Sequence, residues 1–233
     1  MKLASQVVDI QVEKIESAYS GQLEVICRKG RYALCTPNAM YSYDDLYHNF
    51  KQSFERVDLE AFQIKKVLVL GLGLGSIPLL LETKFNKKYL YTFVEIDKNV
   101  VNLAEAYTLQ YLKSPYKIVI EDALKYSQST KETFDFIAVD LFIDNLVPSA
   151  FETVAFLQQL KQRLHPSGLL MYNRLSYTPD LMKRTVWFHE QIFKSVFDEG
   201  ILLELGDNRM LLNRLEPQTV EWQIQPKEVG VMT

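Results

Sequence analysis

From residue 66 onward, short apolar runs alternate regularly with segments whose apolar residues recur at helical spacing. The apolar runs predict β-strands at 67–70, 89–95, 116–120, 134–140 and 168–172. The segments between them predict helices near 76–84, 98–112, 123–128 and 149–164. Such alternation favours a parallel sheet whose right-handed crossovers place helices on both faces.

Capping and helix-breaking residues indicate where some of these elements begin and end. Asp97 and Pro148-Ser149 stand at positions typical of helix starts. The sequence His-Pro-Ser-Gly at 165–168 predicts the end of a helix followed by a turn.

The last part of the alternating region departs from the strand–helix pattern. After a further predicted helix at about 180–197, two apolar runs, 201–205 and 210–213, flank the turn sequence Gly-Asp-Asn-Arg at 206–209. We therefore expect an α/β fold with a doubly wound, mostly parallel, Rossmann-like sheet that closes with an antiparallel terminal hairpin. The residues from 216 onward carry no clear pattern.

A smaller unit precedes this region. Short β-like runs at 7–12, 23–27 and 32–35, separated by glycines, predict a small antiparallel sheet, and 43–54 has the spacing of an amphipathic helix. A segment of this size is too small to form a hydrophobic core of its own. The sheet must therefore pack on the main domain or on a partner subunit. We divide the chain into an N-terminal β segment with its helix, 1–60, and an α/β domain, 61–233.

Composition excludes several classes of protein. Hydrophobic residues make up 48% of the chain and charged residues 24%, which is typical of a globular protein. The net charge of −3 does not attract nucleic acid or anionic lipid. We find no apolar run long enough for a membrane span or a signal peptide, and therefore expect a cytoplasmic protein. Cys27 and Cys35 are expected to be free thiols, and no residues have metal-ligand spacing.

The first predicted strand runs directly into three alternating glycines, Gly71, Gly73 and Gly75. Glycine lets the backbone turn sharply and approach a ligand closely. Because a helix follows at once, strand, loop and helix N-terminus together predict a nucleotide-type binding loop.

Acidic residues follow the next two strands, at the sheet edge where ligands bind in this class of fold. Glu95 ends the second strand and can accept hydrogen bonds from ribose hydroxyls, although it could instead cap the next helix. Asp97 fits the capping role better. After the third strand, Asp122 could accept a hydrogen bond from the adenine amino group while Ala123 leaves room for the ring. Asp122 could equally be a helix N-cap.

The fourth strand ends in Asp140, and Asp144 lies in the same loop. An acid that follows a mostly apolar strand at this edge is a candidate for orienting a substrate or accepting its proton. The two carboxylates could raise one another's pKa or together hold a cationic group.

These motifs resemble the class I S-adenosylmethionine-dependent methyltransferase fold and, within it, the spermidine synthase (aminopropyltransferase) family. The order of the core motifs, the small N-terminal β segment and the segment 40–48 all match that family's layout. The resemblance implies that Glu95 binds ribose, Asp122 binds adenine, Tyr47 and His48 lie over the cofactor, and Asp140 is the catalytic aspartate. The expected cofactor is S-adenosylmethionine or its decarboxylated form. The full set of predicted cofactor-binding residues is Gly71, Leu72, Gly73, Gly75, Glu95, Ile96, Asp122, Ala123 and His48, with Asp140 and Asp144 catalytic.

Three departures from the family's motifs bear on the reaction. Leu74 replaces the aspartate of the family's G-G-G-D-G-G loop, and apolar residues replace the hydroxyls of its D-S-S-D-P loop at 140–144. Asn173-Arg174 replaces a Gln/Glu after the fifth strand, and Arg174 is expected to repel an amine. On these grounds we expect methyl transfer to a small-molecule acceptor.

Other functions remain open at this stage. The alternative within the family is aminopropyl transfer, that is polyamine synthesis, at a divergent amine site. Gly71 and Gly73 with Glu95 also partly match a dinucleotide fingerprint, so an NAD-dependent oxidoreductase is a further alternative, although Ser76 replaces its last glycine. A catalytically silent binding or assembly protein would keep the same fold. Pairing of the small β segment across a two-fold axis predicts a homodimer.

Overall fold

The computed structural model describes residues 3–37 and 39–216. Within these residues a small antiparallel sheet forms first, with strand order β1-β2-β3-β4. Its strands are β1 (Ile10–Ser17), β2 (Gly21–Arg28), β3 (Arg31–Cys35) and β4 (Met40–Tyr43). The predicted small antiparallel sheet is confirmed, and in its β2–β3 pair Cys27 lies opposite Tyr32 and Glu24 opposite Cys35. Cys27 and Cys35 are free.

The main sheet has seven strands in the described part of the chain, in the order β10-β11-β9-β8-β5-β6-β7. They are β5 (Lys66–Leu70), β6 (Leu90–Glu95), β7 (Tyr116–Ile120), β8 (Phe134–Val139), β9 (Leu164–Leu175), β10 (Ile201–Leu205) and β11 (Asn208–Leu212). β5 to β9 pair in parallel and β11 pairs antiparallel with β9. The predicted doubly wound sheet with an antiparallel closing hairpin is confirmed.

The part of the chain that the structure describes contains seven α-helices, most of which connect strands of the main sheet. They are α1 (His48–Phe54), α2 (Ser76–Lys84), α3 (Lys98–Tyr107), α4 (Ala123–Ser129), α5 (Val154–Arg163), α6 (Pro179–Phe188) and α7 (Lys194–Val196). A π-helical turn, His189–Phe193, joins α6 to α7. None of the helices described is long and apolar enough to cross a membrane.

The core lies on both faces of the main sheet. Val67 and Val69 of β5 belong to one apolar cluster, and Leu68 belongs to another on the opposite face. Side chains alternate between the two faces of a strand, so a strand covered on both faces must be apolar throughout. This explains the uninterrupted apolar run of β5.

Side-chain caps begin several of the helices. The Asp97 carboxylate accepts a hydrogen bond from the Asn99 N–H at the start of α3, as predicted. The start predicted at Pro148-Ser149 is wrong for the α-helix: a 3₁₀ turn occupies Ser149–Phe151, and Thr153 caps α5.

Two further predictions of local structure are corrected. The segment 165–168 is not a turn but part of β9, where the register with β8 shifts between Leu164 and Leu169. Gly168 makes this irregularity possible, because an added Cβ would lie 2.9 Å from the carbonyl oxygen of Asp135. The single helix predicted at 43–54 is divided into a 3₁₀ turn, Asp44–Leu46, and α1.

The small sheet packs against the main domain, as its size requires. Leu23, Val25 and Leu34 form an apolar cluster with Leu74 of the glycine loop and with two residues of α3. Leu74 is fully buried there. The residue that interrupts the family's glycine motif is therefore a packing residue between the two sheets.

We predict that Leu74→Asp destabilises the protein by more than about 3 kcal/mol, because an unpaired carboxyl group would be buried among apolar side chains. Leu74→Met keeps the volume and should cost less than about 1.5 kcal/mol. Denaturant unfolding of both variants measures the difference. Equal stability of the two would show that residue 74 is not held in this cluster.

Candidate functional site

The candidate site lies beyond the carboxyl ends of β5, β6, β7 and β8. Parallel strands end at the same sheet edge, so the residues that follow them meet there. They line a cavity of about 210 Å³, here called the first cavity. The predicted residues that line it are Gly71, Gly73, Glu95, Ile96, Asp122, Ala123 and Asp140.

The glycine loop is shaped by close contacts that exclude side chains. Gly71, Gly73 and Gly75 all have positive φ angles, 89°, 51° and 82°. A Cβ on Gly71 would lie 2.2 Å from the carbonyl oxygen of Asp140, and one on Gly73 would lie 3.0 Å from the Ser42 Cβ. A side chain at position 71 would therefore clash with the backbone at the end of β8. One at position 73 would crowd the small sheet.

Most backbone N–H groups of this loop already have acceptors within the protein. Gly71 N donates to the Val94 carbonyl and Gly75 N to the Leu72 carbonyl, at 3.0 and 2.9 Å. Leu72 N donates to Glu95 Oε2, and Leu74 N to Ser42 Oγ, each at 3.0 Å. The loop therefore has little capacity to bind an anionic group through its backbone.

Glu95 links β6 to the glycine loop. Besides accepting from Leu72 N, its carboxylate accepts from Asp97 N at 3.0 Å. Burial raises the pKa of Glu95, and these N–H donors oppose that rise. Asp97 rather than Glu95 caps α3, so Glu95 is left at the cavity wall.

Asp122 caps α4 and also lines the first cavity. Its Oδ1 atom accepts from Leu124 N and Lys125 N at 2.9 and 3.0 Å. Ala123 is buried beside it. The two roles that the sequence left open are compatible, because one carboxylate oxygen serves the helix while the side chain remains on the cavity wall.

Asp140 is held by two polar side chains from other elements. Tyr47 OH donates to its Oδ2 at 2.9 Å, and Asn173 Nδ2 donates to its Oδ1 at 2.8 Å. Burial raises the pKa of Asp140 to about 6, although both hydrogen bonds lower it. The carboxylate is thus oriented at the cavity and its pKa is shifted toward neutrality, as suits a general base.

A second cavity, of about 520 Å³, adjoins the first and shares Tyr41 and Phe142 with it. Tyr47 and Asn173, the two partners of Asp140, also line it. Asp140 therefore lies between the two cavities, which is where a group transferred between two ligands would pass.

Four predicted site residues lie elsewhere than on the wall of the first cavity. His48 and Asp144 line the second cavity. The Leu72 side chain is buried in the core, so only its backbone N–H reaches the site. Gly75 shapes the start of α2, where an added Cβ would meet Leu109 at 2.7 Å.

The predicted repulsion between Arg174 and an amine is wrong. Successive residues of a strand point to opposite faces, so Asn173 faces Asp140 while Arg174 faces the other side of the sheet. There Arg174 is 3% exposed, forms an ion pair with Glu152, and lies over the ring of Phe188 at 4.5 Å.

The charge around the first cavity has one sign. Five carboxyl side chains line it, and none of the described lining residues is lysine, arginine or histidine. The acids are Glu95, Asp97, Glu121, Asp122 and Asp140. Such a lining favours a cationic ligand. No group of three His, Cys, Asp or Glu among the described residues is placed to hold a metal ion.

Sequence reasoning missed the contribution of the small sheet. Tyr19, Ser20 and Tyr41 line the first cavity, and Tyr41 and Tyr43 line the second. The repeated tyrosines at 41, 43 and 47 were a signal, but only the pairing of β4 with β3 places them at the site.

Comparison with known proteins identifies the family of this chain. The model of the spermine/spermidine synthase domain matches residues 48–201. The chain belongs to this family. A polyamine aminopropyltransferase of Vibrio vulnificus is 30% identical over 154 residues, which are 65% of this chain and 50% of that protein. The chain thus spans about half the length of this curated relative.

Solved structures show the same fold. A probable spermidine synthase from Corynebacterium glutamicum superposes with a TM-score of 0.68 at 18% identity, over 89% of this chain and 80% of that one. Human methyltransferase-like protein 13, in complex with SAH, superposes with a TM-score of 0.57 at 25% identity, over 75% of this chain and 83% of that one. The family's sheet is therefore shared with class I methyltransferases.

We predict that Gly71→Ala destabilises the protein by at least about 2 kcal/mol more than Gly206→Ala. Both glycines have positive φ, but a Cβ on Gly206 meets nothing within 4 Å. Gly206→Ala should therefore cost only the backbone strain, about 1–2 kcal/mol. Unfolding free energies of the two variants measure the contact. Equal losses would show that β5 and β8 do not crowd Gly71.

A second prediction concerns Asp140. A carboxyl group whose folded pKa is raised stabilises the protein below its unfolded pKa, and this contribution is lost as pH rises to about 6. The stability of Asp140→Asn relative to wild type should therefore increase across this range, by up to roughly 3 kcal/mol between about pH 4 and pH 6. Unfolding free energies from pH 4 to 8 test this, with Asp198→Asn, at an exposed carboxyl, as the control. A pH-independent difference would contradict it.

Proposed function

We propose that this chain transfers an aminopropyl group from decarboxylated S-adenosylmethionine to an amine. The first cavity would hold the adenosyl half of the donor and the second the acceptor, with Asp140 between them. Family membership supports a transferase of this kind, and the 30% identical relative is an aminopropyltransferase. The predicted homodimer and cytoplasmic location stay predictions.

The adenosyl half fits residues on the wall of the first cavity. Glu95 would accept hydrogen bonds from the ribose, and Asp122 from the adenine amino group, beside the small side chain of Ala123. Ile96 also lines the cavity and would contact the adenine ring. Sites of this type combine an apolar wall with a few polar groups that fix orientation.

The tail of the donor decides between the two reactions. S-adenosylmethionine carries a carboxylate in its tail. The described wall of the first cavity offers this carboxylate no basic side chain. Four N–H groups of the glycine loop already donate to acceptors within the protein, so they are not available to it. The decarboxylated tail is cationic and suits the acidic lining. This one-sided charge is the observation that carries the proposal.

Two of the three grounds for expecting methyl transfer do not hold in the structure. Leu74 packs in the cluster between the sheets, and Arg174 pairs with Glu152 on the far face. Neither bears on the amine. The matched family does not favour an NAD-dependent oxidoreductase either.

The chemistry needs few protein groups. When bound, the sulfonium supplies an activated leaving group, so the C–S bond breaks toward neutral methylthioadenosine as the acceptor nitrogen attacks the adjoining carbon. Asp140 would take the proton that the nitrogen loses. Tyr47 and Asn173 hold its two oxygens so that the carboxylate keeps one orientation.

The decisive assay incubates the protein with putrescine and either donor, and identifies products by mass spectrometry. We expect methylthioadenosine and an aminopropylated amine from the decarboxylated donor alone. S-adenosylhomocysteine from the intact donor would instead show methyl transfer. No product from either donor would favour a silent binding protein.

We further predict that kcat rises with pH and levels off above about 6, as Asp140 loses its proton. Asp140→Asn should lower kcat by about 10²–10⁴-fold and abolish this rise of kcat with pH (the acidic limb of the profile), because the base is gone. Asp198→Asn again serves as the control. An unchanged limb in Asp140→Asn would assign it to another group.

A further inference from the structure

The loop that follows β8 contains a tight turn, and the acidic residue in this turn, Asp144, has an unusual backbone conformation. Ile143 and Leu146 form a bridge through two backbone hydrogen bonds of 2.9 and 3.1 Å, and Asp144 stands at the corner between them. Its φ angle is +52°, in the left-handed region that aspartate and asparagine tolerate better than most residues. The turn directs this residue to the second cavity, whose wall it joins.

Two side chains of the small sheet hold Asp144 from outside its own loop. Thr36 Oγ1 donates to Asp144 Oδ1 at 2.7 Å, and the Asp144 N–H donates to Tyr41 OH at 2.5 Å. Thr36 directly follows β3 and is buried, and Tyr41 lies in β4. Both the carboxylate and the backbone of Asp144 are therefore oriented by residues more than 100 positions away in the chain.

The two residues differ in how near they lie to bound ligands. Tyr41 lines both cavities, and its hydroxyl also donates to Ser20 Oγ on the wall of the first, at 3.0 Å. Thr36 lines neither cavity. A change at Thr36 therefore reaches an acceptor only through the lining residues to which its hydroxyl is bonded, Asp144 and Ala39.

We propose that Thr36 is a positioning residue, supported by Tyr41, which directs the Asp144 carboxylate at the amine of the acceptor. The inference rests on the proposed function, because it takes the second cavity as the acceptor site. An ammonium group binds best to a carboxylate that is already oriented, since no freedom is then lost on binding. Thr36 would thus affect acceptor affinity without touching the acceptor.

The test compares acceptor kinetics of Thr36→Val and Thr36→Ser, with the decarboxylated donor and putrescine. Valine has the shape of threonine without its hydroxyl, so we expect the KM for putrescine to rise about tenfold while kcat changes less than twofold. Serine keeps the hydroxyl and should restore a KM within about twofold of wild type. The Kd of methylthioadenosine, measured by calorimetry, should be unchanged in both.

Two controls separate positioning from a general loss of structure. Tyr107→Phe removes another hydroxyl link between the small sheet and the main domain, the bond from Tyr107 to Glu13, and should leave the KM unchanged. In an Asp144→Asn background, Thr36→Val should have no further effect on the KM, because the carboxylate that it positions is gone.

The outcomes distinguish this inference from the function on which it rests. An active wild type with an unchanged KM in Thr36→Val overturns the positioning role alone. Equal changes in KM and in the Kd of methylthioadenosine also overturn it, because they would show a structural effect. A wild type that forms no product overturns the proposed function and this role together.

Discussion

The site depends on the close approach of two backbone segments where β5 and β8 end. The two strands are neighbours, and Asp140 N donates to the Leu70 carbonyl at 2.8 Å. Immediately beyond, the Asp140 carbonyl leaves no space for a side chain on Gly71. The same contact places the Asp140 carboxyl group beside the glycine loop. One backbone contact thus requires glycine at position 71 and also positions the proposed base, Asp140.

The small sheet completes the site from the other side. Ser42 accepts from Leu74 N, and Tyr43 N donates to Ser76 Oγ, so β4 runs along the glycine loop. Ser17 donates to Asp97 at 2.5 Å and connects the end of β1 to the start of α3. The first of these bonds occupies an N–H donor of the glycine loop. Packing against the small sheet therefore changes what the loop can bind.

The substitution at position 74 illustrates this change. An aspartate in a glycine loop can face a ligand, whereas Leu74 is buried between the sheets. The negative charge that balances a cationic ligand must then come from the acidic residues at the strand ends. Asp140, Glu95 and Asp122 supply it from three different strands, and the absence of basic residues on the described wall leaves it uncompensated.

Much of the fold could be predicted because it is encoded locally. The central strands β5, β6, β8 and β9 are largely buried on both faces and appear in the sequence as apolar runs. The acids Glu95, Asp122 and Asp140 lie at or just after strand ends. Parallel strands end at one edge, so their meeting follows from topology alone.

What could not be predicted depends on pairing between distant segments. The bulge of β9 at 165–168 resembles a turn in sequence because proline and glycine serve both structures. Whether Asn173 or Arg174 faces the site follows from strand register, which sequence does not show. The bonds of Thr36 and Tyr41 to Asp144 join segments that only the folded chain brings together.

The central claim is that the first cavity accepts an adenosyl group with a cationic tail. Calorimetric titration of the wild-type protein with decarboxylated and intact S-adenosylmethionine tests it most directly. The account predicts that the decarboxylated compound binds at least about tenfold more tightly, a difference of about 1.4 kcal/mol. Equal or tighter binding of the intact compound would contradict it.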